Sequence, residues 1–354
     1  MAYIAVSGGK EAIEASIQLL EFYKCGTELD LEIEVIENKL SLLVDRVMSE
    51  AGLYSKAYAA IALKQCEGSV EEAVFILRAY RSTLTRNHYT NVVDTNNMRI
   101  IRRISAAFKD IQGGQLLGAT YDYTHRLMNF DINQENSTLK NSSIISKLKK
   151  QEPIELLSYP RVSQQLKKEG LIDEYSNNNQ VPYDITMKML EFPTERSARL
   201  QTLTRADTGF ISGLAYSSLR GFGQVHPTVG ELRCGYISLY IDYPFNENQS
   251  IYIGEVLITE VECFNTADDK KQKKLAVGYG AVFGRNENKA ISMAIIDREL
   301  DNHGPYPASN EEFVLMHGDS LEMNGFISHL KLPHYITFQS KLDVVRKTQG
   351  NSNE

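Results

Sequence analysis

The chain has 354 residues, 42% of them hydrophobic and 23% charged, which is the composition of an ordinary globular protein with two or three domains. Its 38 basic and 45 acidic residues give a formal net charge of −7. This balance disfavours non-specific nucleic-acid binding, because such binding needs a basic face that neutralises phosphates. The longest run without a charged residue, 208–219, is shorter than the roughly 20 residues of a membrane helix, so no membrane span is expected.

The N-terminal stretch and the cysteines predict a cytoplasmic protein. The first residues, MAYIAVSGGKEAIEAS, lack the basic and apolar regions of a secretory signal. The four cysteines show no CxxC spacing, which is typical of reduced thiols in a cytoplasm.

Residues 1–97 are predicted to form a helical N-terminal region. Apolar residues recur at helical spacing in four segments that Gly and Ser separate. The predicted helices are residues 11–24, 31–48, 58–64 and 70–84. Before the first helix, Ser7-Gly8-Gly9-Lys10 matches a phosphate-binding P-loop only in part, so a structural turn is the favoured interpretation.

Residues 98–180 are predicted to form a glycine-loop segment followed by a variable surface stretch. Residues 98–111 fit either a strand or a short helix. Residues 131–179 are rich in Asn, Gln, Ser and Lys and are interrupted by Pro153 and Pro160, which predicts surface segments.

Residues 181–348 are predicted to form an α+β domain, and residues 349–354 a disordered tail. Helices are expected at 194–220, 288–300 and 311–323. Three alternating segments rich in Val, Ile and Tyr, at 231–242, 251–264 and 275–283, predict an antiparallel sheet. The fold class is therefore α+β: a helical N-terminal region followed by a mixed α/β body, with an antiparallel sheet of at least three strands covered by helices.

One candidate site follows the glycine loop 113–118. If the chain is helical from Tyr121, then Asp122, His125 and Arg126 fall on one helix face. A carboxylate, an imidazole and a guanidinium in this arrangement could bind a polyphosphate or move a proton. A helix cap with an internal salt bridge is the structural alternative.

Two further segments carry residues that could contribute to a site. Upstream of the glycine loop, Arg102 and Arg103 could add phosphate contacts or line a solvated face. Downstream, the glycine-bracketed loop 220–227 contains His226, which is a weak signal because a lone histidine before proline is usually a loop residue.

A second candidate site is the histidine pair His329 and His334. Pro333 lies between them, so an unbroken helix cannot carry both. The spacing suits two ligands that reach one metal ion from a turn, although a protein zinc site normally has three or four ligands. Two ordinary hydrogen-bonded histidines are the alternative.

Several long segments together resemble the PhnI family, a core subunit of the bacterial carbon–phosphorus lyase machinery for phosphonate breakdown. The resemblance runs over nearly the whole chain and departs from the family pattern at 131–179. It is densest in VDRVMSEAG, ALKQ, LRAYRSTL, RRISAAFKDIQGGQLLGATYDYTHRL, LAYSSLRGFGQVHPTVGELRCGYI, EEFVLMHGDS and GFISHLKLPHY.

The resemblance implies a reaction and a set of partners. The expected reaction transfers the ribose triphosphate of ATP, with Mg²⁺, to an alkylphosphonate such as methylphosphonate and releases adenine. It implies that PhnG, PhnH and PhnL are needed for transfer, and that the isolated chain acts as a nucleosidase on ATP or GTP. It also implies a core complex with PhnG, PhnH and PhnJ, with PhnK as a further candidate partner.

The resemblance also implies that His329 and His334 bind zinc beside PhnJ. Chemical reasoning, rather than the family, suggests the other roles. Asp122 or His125 is the candidate for protonating the departing purine, and the candidates for binding phosphates are Arg126, Arg102 and Arg103. Two rival hypotheses remain: a scaffold subunit, or a contributor of the shared zinc site to carbon–phosphorus cleavage.

Overall fold

The computed structural model describes residues 9–25, 30–133, 142–146, 159–172, 181–266, 274–331 and 335–350. Within these residues, a helical N-terminal region precedes a body in which helices cover a four-stranded antiparallel sheet. The predicted α+β class is confirmed.

The helical N-terminal region agrees with the prediction except at one break. Its helices are α1 Gly9–Cys25, α2 Ile33–Lys39, α3 Ser41–Ala51, α4 Lys56–Gln65 and α5 Val70–Thr83. The helix predicted over 31–48 is wrong as a single element, because Leu40 adopts a non-helical conformation between α2 and α3. Ser55 and Ser69 cap α4 and α5, since their hydroxyls accept hydrogen bonds from the backbone amides of Tyr58 and Glu72.

Helices α2 to α5 share a small hydrophobic core, whereas α1 buries none of its residues. The core is built from apolar side chains that include Val44, Met48, Leu63 and Leu77. In α1, the apolar positions face solvent: Ile13, Ile17, Leu20 and Phe22 are all exposed. Gly9 begins this helix, while Ser7 and Gly8 lie outside the described residues.

The sheet contains the three predicted strands and one more. The strands are β1 Arg99–Ile104, β2 Thr228–Tyr243, β3 Asn246–Thr266 and β4 Leu275–Phe283, in the spatial order β1-β2-β3-β4. Each neighbouring pair is antiparallel. The ambiguous segment 98–111 therefore supplies an edge strand.

Seven helices of seven or more residues lie within the described part of the body. They are α6 Val162–Lys168, α7 Arg196–Arg205, α8 Thr208–Ser217, α9 Glu287–Leu300, α10 Glu311–His317, α11 Ser320–His329 and α12 Tyr335–Gly350. Helix α9 packs on the sheet and contributes Met293, Ile296 and Leu300 to the main core. Helix α12 was not predicted, and it includes residues 349–350 of the expected tail; residues 351–354 lie outside the described residues.

Two predicted helices are each divided by a capping aspartate. The helix predicted over 194–220 is wrong as one element, because Asp207 separates α7 from α8 and accepts a hydrogen bond from the Phe210 amide at 2.7 Å. The helix predicted over 311–323 is interrupted at Gly318. Asp319 then caps α11 by accepting from the Leu321 amide at 2.9 Å.

The prediction of surface segments over 131–179 is wrong for helix α6. Val162, Leu166 and Ile172 are buried and pack with Phe264 of β3 in a small apolar cluster. Apolar residues four positions apart can bury one face of even a short helix. The polar residues around them make this pattern difficult to recognise in the sequence. Residues 134–141, 147–158 and 173–180 lie outside the described residues.

Close packing between helix α9 and strand β4 requires glycine in the strand. A Cβ atom on Gly280 would lie 2.2 Å from the Ala290 carbonyl oxygen of α9. We therefore expect Gly280→Ala to lower the free energy of unfolding by about 1–3 kcal/mol through overpacking. Urea unfolding measures the change.

Gly213→Ala in helix α8 is the matched control for Gly280→Ala. No atom lies within 4 Å of its added Cβ, and the position is exposed. The control should be neutral or stabilising by about 0.4–1 kcal/mol, because alanine restricts the unfolded chain. Equal destabilisation of both variants would contradict the proposed packing.

The helical region and the body meet through polar contacts. Arg78 of α5 pairs with Asp319 at 2.5 Å, and Arg46 of α3 pairs with Asp207 at 3.1 Å.

All four cysteines are free thiols, as the spacing predicted. Among the helices described, none is long and apolar enough to cross a membrane.

Candidate functional site

The glycine loop folds back along the outer edge of strand β1. The amide and carbonyl groups of Arg103 and Leu116 exchange two hydrogen bonds, each of 2.7 Å. Gly118 has a φ of +64°, and a Cβ there would lie 2.7 Å from the Ile101 carbonyl oxygen. Glycine is thus required where the loop passes the strand, and the residues that follow are placed beside Arg102.

Arg102 is the centre of a charged cluster, and its side chain is only 4% exposed. It donates to Asp122 Oδ2 at 2.7 Å and forms an ion pair of 2.7 Å with Glu287 Oε1. The Leu117 carbonyl oxygen accepts a third contact from the same guanidinium. On the solvent side, Arg126 donates to Asp122 Oδ1 at 3.2 Å. We name Arg102, Asp122, Arg126 and Glu287 the Arg102 cluster.

The helix expected from Tyr121 is wrong, because residues 121–124 form a turn. The Thr124 amide donates to the Tyr121 carbonyl oxygen at 3.0 Å, and the backbone of Arg126 is left-handed with a φ of +53°. The turn nevertheless brings Asp122 and Arg126 together. His125 is exposed and makes no hydrogen bond or ion pair with the described residues, so it does not join the two.

Glu287, the first residue of helix α9, was missed by sequence reasoning. Its side chain is 22% exposed. Burial raises the pKa of the Glu287 carboxyl, the charge of Arg102 opposes that change, and the nearby Asp122 carboxylate adds to it. Two carboxyl groups therefore share one guanidinium in different environments, an arrangement that separates acid from base roles in active sites. No local pattern could reveal it, because β1 and α9 are far apart in sequence.

Arg103 is fully buried and holds the glycine loop rather than facing a ligand. Its Nε donates to Glu231 Oε1 at 2.5 Å, and its two terminal nitrogens donate to the carbonyl oxygens of Gln112 and Pro160 at 2.6 and 2.8 Å. The other oxygen of Glu231 accepts from the Val162 amide at 3.1 Å. Because protein groups occupy every nitrogen of Arg103, the structure does not present it for the predicted phosphate contact.

The loop 220–227 borders an open cleft of about 680 Å³. Its walls combine aromatic and polar side chains, including Phe108, His226, Phe264 and Asn265. Glu299, which is fully buried, holds the loop by accepting from the amides of Gln224 and Val225 at 3.1 and 3.2 Å. The volume lies within the range of small-molecule and cofactor sites.

The cleft lies near the same strand as the Arg102 cluster. Ala106, which lines the cleft, lies four residues after Arg102 in the chain. Its backbone amide donates to the Val229 carbonyl oxygen at 3.2 Å. Four extended residues span roughly 13 Å. Ala106 at the cleft therefore lies within roughly 13 Å of the Arg102 backbone.

His329, the first predicted zinc ligand, is the last residue of helix α11. Its Nδ1 contacts the Phe326 carbonyl oxygen, and its ring stacks edge-on against Phe326 at 4.9 Å. A carbonyl oxygen only accepts, so this contact requires a proton on Nδ1. Metal-binding histidines commonly donate their other ring N–H to a carbonyl group in this way.

The rest of the predicted zinc site is untested. His334 lies outside the described residues. Within the described ranges, no group of three or more His, Cys, Asp or Glu side chains is arranged to hold a metal ion. Further ligands for a metal at His329 would therefore come from elsewhere.

Comparison with known proteins gives matches over almost the whole chain. The family model described as "Bacterial phosphonate metabolism protein (PhnI)" matches residues 2–352. The chain is 44% identical to the alpha-D-ribose 1-methylphosphonate 5-triphosphate synthase subunit PhnI of Escherichia coli (strain K12), over 99% of both chains. It is 42% identical to the subunit of the same name from Rhizobium meliloti (strain 1021), over 98% of this chain and 94% of the relative. It is also 44% identical to the putative C-P lyase subunit protein HtxH of Stutzerimonas stutzeri, over 99% of this chain and 97% of that protein.

Proposed function

Because this chain belongs to the PhnI family of bacterial phosphonate metabolism proteins, we propose that it transfers the ribose 5-triphosphate moiety of ATP to an alkylphosphonate. With methylphosphonate, the products are adenine and alpha-D-ribose 1-methylphosphonate 5-triphosphate, the compound after which two of the relatives are named. The observation that carries the proposal is the Arg102 cluster, in which two carboxyl groups and two guanidiniums meet beside a glycine loop.

Displacement of adenine at C1′ passes through an oxocarbenium-like transition state, as in glycoside hydrolysis. A general acid must protonate the departing purine, and cations must hold the phosphates. Glu287 joins Asp122 and His125 as a candidate acid, because burial favours its protonated form. Arg126 is the exposed cation of the cluster and the first candidate for a phosphate contact, while Arg102 fixes the two carboxylates.

Companion subunits would decide which nucleophile attacks C1′. In the isolated chain, water occupies that position and the reaction is hydrolysis of ATP or GTP to the free base and ribose 5-triphosphate. PhnG, PhnH and PhnL would close the site and seat the phosphonate, which displaces water by proximity.

The experiment is base release from ATP and GTP, with Mg²⁺, by the purified chain, followed by chromatography of the purine. Adding PhnG, PhnH, PhnL and methylphosphonate should convert hydrolysis into transfer. The proposal fails if the purified chain releases no base and if PhnG, PhnH and PhnL release base equally well when this chain is left out.

Exposed apolar surface supports a place in a complex with PhnG, PhnH and PhnJ, and with PhnL or PhnK. Helix α1 presents its apolar side to solvent. The segment 121–132, which contains Asp122, does the same with six large side chains: Tyr121, Tyr123, Leu127, Met128, Phe130 and Ile132. Such patches usually mark protein interfaces.

We expect His329 and His334 to bind one zinc ion together with ligands from PhnJ. Changing both to alanine should remove zinc from the assembled complex without unfolding this chain, because an open two-ligand site contributes little folding energy. Metal analysis together with circular dichroism measures both effects. His317→Ala, which changes an exposed histidine of α10, is the matched control. Full zinc occupancy in the double variant would show that the ligands are others.

The alternative function is a scaffold that helps to build the PhnJ lyase site through this shared zinc. The described residues contain no group of three or more side chains that could hold a metal ion, and this favours the scaffold, since partners would have to complete a zinc site. Zinc loss that stops carbon–phosphorus cleavage and spares base release would assign the metal to the lyase step. Absence of base release altogether would favour the scaffold.

A further inference from the structure

Three arginine side chains converge where the helical N-terminal region meets the body. Arg78 and Arg81 belong to helix α5, and Arg205 is the last residue of helix α7. A Cβ atom on Gly52 would lie 2.7 Å from Arg81 Nη1 and 3.7 Å from Arg205 Cδ, so both side chains cover this glycine. None of the three belongs to the Arg102 cluster. We name Arg78, Arg81 and Arg205 the junction arginines.

Side chains and carbonyl groups of the described residues satisfy only one of these guanidiniums, that of Arg78. Arg78 donates to Asp319 at 2.5 Å and to the Glu50 and Arg205 carbonyl oxygens at 2.7 and 2.9 Å. Arg81 makes one long contact, to the Gly52 carbonyl oxygen at 3.3 Å. Arg205 has no ion pair with any described residue, and its Nε is buried without a hydrogen-bond partner there.

The nearby carboxylates are already engaged. Asp319 binds Arg78 and caps helix α11 through the amides of Leu321 and Glu322. Asp184 binds Arg86 at 2.5 Å. Burial lowers the pKa of Arg205 to about 10, with the charges of Arg78 and Arg81 acting in the same direction. The Asp319 and Asp184 carboxylates offset this effect only in part, and a half-buried positive charge of this kind is unfavourable unless an anion joins it.

We infer that the junction arginines form a binding site for a phosphate or phosphonate group, which bridges helices α5 and α7. Guanidinium groups bind the oxygens of phosphates and phosphonates well, because a guanidinium is planar, presents its N–H donors in pairs and stays positively charged. Arg81 and Arg205 supply the free donors, and Arg78 orients the Arg205 backbone. A bound anion then ties the helical region to the body. This inference does not depend on the proposed glycosyl transfer.

The test is binding of three probes to the full-length purified chain, by calorimetry and thermal unfolding: inorganic phosphate, methylphosphonate and tripolyphosphate. The three arms distinguish a free phosphate, a phosphonate substrate and a polyphosphate chain. None of the probes contains a base, so the result is independent of base release. Wild-type protein should bind at least one of them and unfold at a higher temperature in its presence.

Arg205→Gln and Arg81→Gln should each weaken that binding by about tenfold or more, as expected for loss of a charge-assisted hydrogen bond. Without ligand, Arg205→Gln should unfold at the same temperature as wild type or higher, because an uncompensated charge has been removed. This second readout separates lost binding from lost folding.

Two matched controls identify the site. Arg99→Gln removes an exposed arginine of β1 that pairs with Glu255, and binding should be unchanged. Arg126→Gln removes the exposed cation of the Arg102 cluster. If this variant loses binding of a probe, the probe binds at the Arg102 cluster and not at the junction arginines. The inference is overturned if wild-type chain binds none of the probes, or if the Arg81 and Arg205 variants bind them as wild type does. A carboxylate from a partner subunit would then be the anion.

Discussion

Glu287→Gln should lower the rate of base release by about a hundredfold or more, the range typical for loss of a general acid. The amide keeps the shape of the side chain and its place beside Arg102 but cannot deliver a proton. Burial raises the pKa of the Glu287 carboxyl, so its acid form persists to higher pH than that of an ordinary carboxyl. Wild-type activity should therefore fall as the pH rises through that pKa, and this alkaline limb should be absent from the variant.

Asp122→Asn and His125→Gln are the matched variants for the other candidate acids. If Asp122 protonates the purine, its variant carries the hundredfold loss instead, and the same holds for His125. A loss in the Glu287 variant with an unchanged pH profile would indicate a positioning role through Arg102. If all three variants release base at the wild-type rate, the acid lies outside the Arg102 cluster.

Glu231→Ala should destabilise the chain by about 3–5 kcal/mol, because it leaves Arg103 buried without its counter-charge. Both side chains are essentially inaccessible to solvent, and the ion pair measures 2.5 Å. The variant also removes the acceptor for the Val162 amide, so helix α6 should loosen together with the glycine loop. Urea unfolding measures the loss.

Glu255→Ala is the control for the Glu231 variant, because it breaks a glutamate–arginine pair of similar length, 2.7 Å, on the same sheet. Arg99, its partner, is half exposed, and exposed pairs are worth roughly 0–1 kcal/mol. Similar losses in the two variants would contradict a structural role for the buried pair. Replacing Arg103 and Glu231 together by apolar residues should recover part of the stability.

The sheet could be predicted from sequence because its signal is local. Alternating Val, Ile and Tyr located β2 to β4, and the prediction for β4 matches its observed bounds. The helix breaks at Leu40, Asp207 and Gly318 were missed because apolar periodicity continues across them. Only the caps and backbone conformations reveal that one helix ends and the next begins there.

Sequence reasoning identified only some of the residues of the candidate site. The spacing of four between Asp122 and Arg126 identified a real ion pair, although a turn rather than a helix forms it. The contact between Arg102 and Glu287 depends on how β1 and α9 pack, which spacing along the chain does not encode. Arg103 is adjacent to Arg102 in β1, where successive side chains alternate between the two faces, and it pairs with Glu231 instead of joining the Arg102 cluster.

The return of the glycine loop onto β1 also affects how the sheet ends. An exposed edge strand presents unpaired N–H and C=O groups that can recruit another chain and start aggregation. Leu116 occupies part of the outer edge of β1, and the Leu275 amide at the start of β4 donates to the Leu171 carbonyl oxygen at 2.7 Å. Both outer strands are thus partly covered by the segment between β1 and α7. The segment that carries Asp122 therefore also protects the protein from polymerising through its own sheet.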